Sequence, residues 1–331
     1  MLSRCRALVF DAYGITENTG PDAPLPMGLP TSLNRAALRT VWGGQPQYVV
    51  SPKADGQRMV VGFMDHVAFT MNRANKCAQF ASWQPHAGAW RGTVLDVEWV
   101  TTEQRGRVLW IFDVLCIHGH NIRGRAYHHR LAAARLFLQE WSSHQKGPVW
   151  VDWPAPARGA VPDAHLPRGL RIDAFTVWCV KPVWYHTQVQ EAYSWALTLG
   201  PLWLVADGLV YTPVSRSVAT FRSLEVFKWK PVERQTVDFL VQRVPHAPQD
   251  MELLVLDDVH QLTPFARVPL RSDLRGELRP GSVYECRWEN NTWIIHMARA
   301  DKTEPNALFT AKRTCDDIAE NLRLEDLMPP P

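Results

Sequence analysis

The six cysteines of this 331-residue sequence (Cys5, Cys77, Cys116, Cys179, Cys286 and Cys315) include no C-x-x-C pair. Neither a zinc site nor a disulfide framework is therefore indicated, and reduced thiols are expected. Long apolar runs are missing as well. Stretches such as Leu202 to Ala206 fall far short of the roughly 20 residues that cross a bilayer, which excludes an integral helical membrane protein. Charge of one sign is scarce: Lys+Arg 36 against Asp+Glu 33 leaves +3. No basic field of the kind that coats DNA surrounds the molecule, so any polyanion must be met locally. The apolar part of the N-terminus stops at Asp11, too soon for a secretory leader. No internal repeat or low-complexity tract is present. What remains is a globular composition with a length prior of two domains.

Pro and Gly crowd the first thirty residues (Pro21, Pro24, Pro26, Gly28, Pro30), which predicts a lead-in segment laid over the surface. Thr31 or Ser32 then reads as the N-cap of a helix carrying Leu33, Ala36, Ala37 and Leu38. From Tyr48 the pattern turns to strands, at 47–51, 59–64, 68–71, 93–100 and 108–114. Helical spacing returns at 125–141 (Leu131, Ala134, Phe137, Leu138, Trp141) and at 188–199. The Pro- and Gly-rich stretch from Trp150 to Arg171 reads as a long loop. After Pro231-Val-Glu-Arg234 come five strand-like runs, at 237–244, 252–256, 260–263, 282–288 and 292–298, with a turn at Glu289-Asn-Asn291. They fit a small barrel of the OB type. A helix is expected over 314–328. The fold class expected is α+β: antiparallel sheets with flanking helices over 1–233, completed by a C-terminal helix at 314–331, and an OB-fold barrel over 234–313.

The sharpest local pattern is Lys53-Ala-Asp-Gly-Gln-Arg58, directly after a predicted strand. A lysine fixed at a strand end beside Asp55, with Gly56 admitting close backbone approach, is a candidate covalent nucleophile. Taken alone, the same residues also read as a surface turn. Asp96 and Glu98 fall on one face of the strand at 93–100, and two carboxylates together repel unless cations or hydroxyls meet them. Phe112 is either a ring that stacks on a base or a core aromatic. Asp207, beside Gly208, suits a metal or a phosphate-facing role. Lys228 and Lys230, two apart, project from one strand face, where a phosphate would relieve their repulsion. His118, His120, His128 and His129 lack partners at ligand spacing and read as structural or surface residues, and most of the 15 tryptophans read as core and cleft walls.

In their order along the chain these pieces resemble the covalent nucleotidyltransferases, the superfamily of mRNA capping enzymes and ATP-dependent polynucleotide ligases, and within it the RNA guanylyltransferase branch. Lys53, Asp55, Gly56 and Arg58 match the motif K-x-D-G-x-R. Asp207 to Pro213 match D-G-L-[IV]-[FY]-T-P, and Lys228 to Pro231 match K-W-K-P. Arg299, Asp301, Lys302, Pro305 and Asn306 match the branch-specific R-x-D-K-x-x-P-N, which ligases lack, and Gly28 to Leu33 resembles the lead-in P-G-x-x-P-V-S-L. Two positions depart from the pattern. Val97 stands where the third motif, D-G-E, has glycine, and Met297 where many members have arginine.

The resemblance implies that Lys53 attacks the α-phosphate of GTP with Mg²⁺ or Mn²⁺ present, forming lysyl-GMP, and that GMP passes to a 5′-diphosphate RNA end to make the GpppN cap. It implies that Arg58 and Glu98 hold the ribose, that Phe112 stacks on guanine and that Lys181 reads its carbonyl. Asp207, with Glu98, would hold the metal. Lys228 and Lys230 would grip the α-phosphate, and Arg299, Asp301 and Lys302 would reach the pyrophosphate as the OB domain closes. RNA triphosphatase and cap methyltransferase would be separate partners, RNA polymerase a further one, and no membrane is involved. The expected location is the nucleus, or the cytoplasm for a viral protein. An ATP-dependent RNA or DNA ligase and a catalytically silent RNA-end-binding module are the alternatives.

Overall fold

The computed structural model describes residues 1–15, 20, 23–44, 47–79, 88–102, 106–144, 149–152, 168–171, 176–198, 206–270 and 278–330. Up to residue 229 the elements are α1 (Leu2–Ala12), β1 (Leu29–Ser32), α2 (Arg35–Trp42), β2 (Tyr48–Ala54), β3 (Gln57–Met64), β4 (Val67–Asn72), β5 (Cys77–Gln79), β6 (Val94–Thr102), β7 (Gly106–Ile117), β8 (His120–Asn121), α3 (Tyr127–His144), β9 (Val149–Asp152), β10 (Arg168–Arg171), β11 (Thr176–Val180), β12 (Trp184–Tyr185), α4 (Val189–Thr198), β13 (Ala206–Pro213) and β14 (Arg222–Trp229). Beyond it come β15 (Thr236–Val244), β16 (Ala247–Leu256), β17 (Leu262–Pro269), β18 (Ser282–Glu289), β19 (Thr292–Ala298) and α5 (Leu308–Glu320). They form two compact units. One contains Met1–Thr31, Ala37–Trp229 and Met328–Pro331, the other Ser32–Ala36 and Lys230–Leu327.

The first unit holds two sheets. In the larger, the order is β5-β4-β3-β6-β7-β11-β10-β9, with β8 added on β7, and in the smaller it is β1-β14-β13-β2-β12. All the ladders of the larger sheet are antiparallel except one. β11 runs parallel to β7, with Thr176 opposite Arg107 and Val180 opposite Ile111. Strand alternation gives the larger sheet two buried faces. Leu95 and Val97 of β6, Val61 and Phe63 of β3, and Leu109 and Ile111 of β7 pack toward Leu131, Ala134, Phe137 and Trp141 of α3. On the other face Val60, Val94 and Leu115 pack with Cys5, Val9 and Phe10 of α1. Trp90, Trp110, Trp141, Trp178 and Trp184 are among the largest fully buried side chains, so these tryptophans build core, as read from the sequence.

Three expectations change here. The first thirty residues are not an irregular lead-in, because 2–12 form α1. Pro and Gly do not appear before Gly14, and Cys5, Val9 and Ala12 recur at helical spacing to give one buried face. The ends of the predicted loop at 150–171 are strands, β9 and β10, paired antiparallel from Asp152 opposite Arg168 to Val149 opposite Arg171. Its middle, 153–167, lies outside the described residues, as do 271–277 of the Arg267 to Arg279 stretch. The C-terminal helix spans Leu308–Glu320 rather than 314–331, and it groups with the second unit, not the first. The reason is its apolar stripe: Ala311 is fully buried beside Val237, Phe239 and Met251, and Leu308, Cys315 and Ile318 pack against the same core.

The second unit is a five-stranded antiparallel sheet in the order β17-β16-β15-β18-β19. Five strands are present as expected, the third displaced from 260–263 to Leu262–Pro269, and the ladder is open, with no pairing between β17 and β19 among the described residues. The expected turn at Glu289-Asn-Asn291 is a two-residue hairpin connection in which Asn290 and Asn291 both have positive φ (48° and 60°), the conformation that suits the twist of the flanking strands. A strap from far upstream completes this unit: Ser32 Oγ donates to Asp317 Oδ2 (2.6 Å) and the Arg35 backbone N–H to Glu320 Oε1 (2.6 Å).

Candidate active site

Lys53 lies inside β2, which runs to Ala54, rather than beyond the strand's end. It is paired with Gly208 of β13, and Val210 of the same strand is paired with Lys228 of β14. Residues directly opposite share a face, and positions 208 and 210 share it too, so Lys53 and Lys228 project from one side of the small sheet. The register shifts between Ala206 and Gly208, leaving Asp207 as the extra residue of a β-bulge. A bulge re-aims a side chain. Here it places Asp207 Oδ1 2.8 Å from Lys53 Nζ, with both side chains largely buried. Lys230, expected on the same strand face as Lys228, lies past the end of β14 and belongs to the second unit. Pro231 follows it and forbids continuation of the ladder through its own nitrogen. Asp55 is exposed in the turn after β2. Gly56 is required by space: a Cβ there would stand 2.5 Å from the Trp99 carbonyl oxygen and 3.1 Å from Glu98 Cγ. This is the close approach expected of that glycine.

A second group assembles around Phe112 of β7. The Arg58 guanidinium carbon lies 4.9 Å from its ring centroid and Lys181 Nζ 5.6 Å, both within cation–π range. Lys181 follows β11 directly and its backbone N–H donates to the Ile111 carbonyl (2.8 Å), so the parallel pairing of β11 on β7 delivers it to Phe112. Arg58 is gripped by Asp96, with Nε on Oδ1 (3.0 Å) and Nη2 on Oδ2 (2.6 Å), while Nη1 donates to the Gly28 carbonyl. Gly28 itself admits no side chain, since a Cβ would meet the Ala219 carbonyl oxygen at 2.4 Å.

Electrostatics sort these groups. Burial pushes the Glu98 carboxyl up to about 7, opposed first by the positive charge of Lys181 and then by Arg58 and Lys53. Burial likewise pushes Lys181 down to about 8, with Glu98 acting against that shift and Lys53 and Arg58 adding to it. The two form one coupled pair, and each of the three cations faces a carboxylate, Lys53 with Asp207, Arg58 with Asp96 and Lys181 with Glu98. Val97, the departure from the third motif, is fully buried toward α3, and the register shift between Asp96 and Val97 absorbs it.

In the second unit Arg299, just after β19, is held from two sides. Asp301 takes Nε (2.9 Å) and Nη2 (2.8 Å), and Asp238 of β15 takes Nη1 (3.0 Å and 3.1 Å). Lys302 Nζ donates to the same Asp238 carboxylate. Asn306 closes the ring, its Oδ1 accepting the Asp238 backbone N–H (2.9 Å) while its own N–H donates to the Asp238 carbonyl (2.7 Å). The Arg299 hydrogen bonds hold the exposed Asp301 carboxyl down at about 2.

Of the residues expected at the site, Lys53 and Asp207 form one pair, Lys53 and Lys228 share one sheet face, and Arg58, Glu98, Phe112 and Lys181 form a cluster whose charges act on Lys53. Arg299, Asp301 and Lys302 make a separate ring. Two members had no assigned role in the sequence reading: Asp96, noticed only as a neighbour of Glu98, and Asp238. The signal for Asp238 was available, since a carboxylate between Val237 and Phe239 in an apolar strand must find a cation. The histidines take no part. His118 stacks on Trp90 with centroids 4.8 Å apart, and His128 meets His129 edge to face.

A divalent cation of the magnesium type takes one or two carboxylates and completes its shell with substrate phosphate and water. Glu98 and Asp207 fit that modest requirement. Among the described residues no three His, Cys, Asp or Glu side chains gather into a full protein cage.

The model for the mRNA capping enzyme catalytic domain matches residues 10–149, and that for the mRNA capping enzyme C-terminal domain matches 233–328. The mRNA-capping enzyme of Mus musculus is 30% identical over 126 residues, and that of Danio rerio 31% over 127. Each match covers 37% of this chain and 20% of the relative, so the similarity spans about a fifth of those proteins. Among solved structures, a mycobacterial DNA ligase D complexed with ATP and MES covers 86% of this chain and 97% of its own at 14% identity, with a TM-score of 0.46. A Lig E DNA ligase covers 82% and 98% at 14% identity, with a TM-score of 0.38. With both domain models matched in order over most of its length, and the motif residues assembled as described, the chain belongs to the mRNA capping enzyme family of nucleotidyltransferases.

Proposed function

We propose that the chain is an RNA guanylyltransferase that moves GMP from GTP to the 5′-diphosphate end of RNA through Lys53. The observation that carries the reading is the Lys53–Asp207 pair, an amine held at 2.8 Å by a carboxylate on the face that also bears Lys228. An ammonium cannot attack, so the proton must leave Nζ first, and Asp207 is the hydrogen-bonded acceptor for it. Nζ then bonds to the α-phosphorus while the bond to the pyrophosphate oxygen breaks, and a second proton leaves Nζ for solvent or the departing pyrophosphate to give the neutral P–N linkage. In the second step a terminal phosphate oxygen of the RNA end bonds to that phosphorus, the P–N bond breaks, and Lys53 recovers a proton.

The remaining assignments are those the family resemblance implies. Lys228, with Lys230, meets the α-phosphate, where negative charge shifts among the oxygens during transfer. Phe112 offers its ring to the guanine, with Lys181 beside it to read the carbonyl oxygen, and Arg58 and Glu98 meet the ribose. Arg299, Asp301 and Lys302 are assigned to the pyrophosphate. Mg²⁺ or Mn²⁺, held by Asp207 and Glu98, would supply charge neutralisation at the phosphates. In this reading an RNA triphosphatase supplies the diphosphate end and a cap methyltransferase consumes the product.

The test is to incubate the purified chain with α-labelled GTP or ATP and a divalent metal, denature it, and look for acid-labile label on the protein. Label from GTP alone is expected. Label from ATP alone would make the chain a ligase-type adenylyl carrier, and no label from either with both metals tried would leave an RNA-end-binding module.

A further inference from the structure

The hydrogen bonds that hold Arg58 continue one residue beyond Asp96. Tyr13 caps the C-terminal end of α1 and is almost wholly buried. Its hydroxyl donates to Asp96 Oδ2 over 3.1 Å, the same oxygen that Arg58 Nη2 grips at 2.6 Å. The Asp96 carboxylate has no exposed surface, so these donors stand in for water. Burial, reinforced by the charge of Asp96, pushes the phenol well above its ordinary range and keeps it a donor.

With Nη1 on the Gly28 carbonyl, every part of the guanidinium's orientation beside Phe112 is then fixed by three anchors: the sheet through Asp96, the lead-in segment through Gly28, and, through Asp96, the N-terminal helix. We infer that Tyr13, which touches no expected substrate group, is a positioning residue: it orients the Asp96 carboxylate so that Arg58 and Phe112 present a preset nucleoside site. The inference rests on the guanylyl-transfer reading above. A preset site lowers the ordering cost of binding, so loss of Tyr13 should weaken nucleotide capture and leave the chemical step intact.

The experiment is GTP-dependent covalent labelling of the full chain, read as the GTP concentration for half-maximal rate and the maximal rate. Tyr13→Phe should raise the first about three- to tenfold, the scale of one ordinary hydrogen bond, since only part of the bond's worth reaches the nucleotide through Asp96 and Arg58, and leave the second within about twofold. Val9→Ala, which removes packing from the same helix, should lower the melting temperature without moving either parameter. In an Arg58→Lys background Tyr13→Phe should cost nothing further, since what it positions is gone. Asp96→Asn offers a second route should Tyr13→Phe not fold, and it should raise the same half-maximal concentration. If the wild type takes no label from GTP, the guanylyl-transfer reading fails. If it does and Tyr13→Phe behaves as wild type, or Val9→Ala shifts the half-maximal concentration as much, or Asp96→Asn leaves it unmoved, the role assigned to Tyr13 alone is overturned.

Discussion

Lys53 Nζ and Asp207 Oδ1 meet at 2.8 Å because β13 carries one residue more than β2 at that point. Lys53→Ala should abolish covalent labelling by GTP and leave the fold intact at some cost in melting temperature, since the largely buried Asp207 carboxylate loses its cation. Asp207→Asn should slow labelling by at least tenfold, since it keeps the contact and removes the proton acceptor. Gel detection of acid-labile label reads both, and a normally labelled Lys53→Ala protein would mean another nucleophile.

The Glu98 and Lys181 shifts fix the direction of a pH effect. Folding raises the Glu98 carboxyl from 4.5 to about 7, so its contribution to stability is present at low pH and is lost as pH rises through about 7. Lys181 is depressed from 10.5 to about 8, so its contribution is present at high pH and is lost as pH falls through about 8. Glu98→Gln should therefore gain stability relative to wild type between about pH 4.5 and 7, on the order of 1 to 3 kcal/mol. Denaturant titrations at pH 5 and pH 7 measure it. A difference that does not grow with pH would contradict the buried, coupled carboxylate.

Asp238 balances two cations, Arg299 and Lys302. Asp238→Asn should destabilise the chain by about 2 to 4 kcal/mol, because it leaves partly buried positive charge without its counter-ion. In labelling assays Lys302→Ala should block formation of lysyl-GMP, yet spare transfer from preformed enzyme-GMP more than Lys228→Ala does. Equal losses in both half-reactions would show that Lys302 does not act on the pyrophosphate.

Arg130 of α3 is almost fully buried and donates from Nε and Nη2 to Asp113 of β7 (2.6 Å and 3.0 Å). Arg130→Met should cost about 3 to 5 kcal/mol in chemical denaturation, as the Asp113 carboxylate would remain buried alone. The double change Arg130→Met with Asp113→Leu should recover much of that. Additive losses would mean that the pair is not a unit.

Gly56→Ala places a Cβ 2.5 Å from the Trp99 carbonyl oxygen, which is backbone and cannot swing aside. A loss of about 1 to 3 kcal/mol is expected by thermal or chemical unfolding, with reduced labelling, since the turn after Lys53 must move.

Short-range chemistry was the legible part. Alternation and turn residues marked the longer strands of both units, and Asn290-Asn291 placed a hairpin, because those signals depend on neighbours in sequence, whereas the short strands β1, β5, β8, β9, β10 and β12 carry too few residues to show a pattern. Gly56 was legible as a close-approach residue beside the alternative of a plain surface turn, and the 2.5 Å between an added Cβ and the Trp99 carbonyl oxygen decides for the first. What escaped depends on the partner's address. The stripe at Cys5, Val9 and Ala12 is short, and the proline-rich stretch after it drew the whole region into one irregular segment. Helix α5 began earlier than expected because Ala311 and Leu308 reveal themselves as core only once β15 and β16 lie beside them. The bulge at Asp207 has no local mark, since it exists only as a mismatch between two strands some 150 residues apart. Asp96 and Asp238 were visible as odd carboxylates in apolar strands, but the cations they hold, Arg58 and Arg299, come from other elements.

The strap of Ser32 and Arg35 on Asp317 and Glu320 has a consequence for how this polypeptide is made. Its partners are 285 residues apart. On the ribosome the short upstream piece emerges first and must wait while the 285 residues up to its partners are added before Asp317 and Glu320 exist. The second unit therefore takes two hydrogen bonds from residues synthesised 285 positions earlier. A fragment beginning at Lys230 would leave Asp317 and Glu320 without those donors, whereas supplying residues 32–36 as a separate peptide would restore them at the entropic cost of a second molecule.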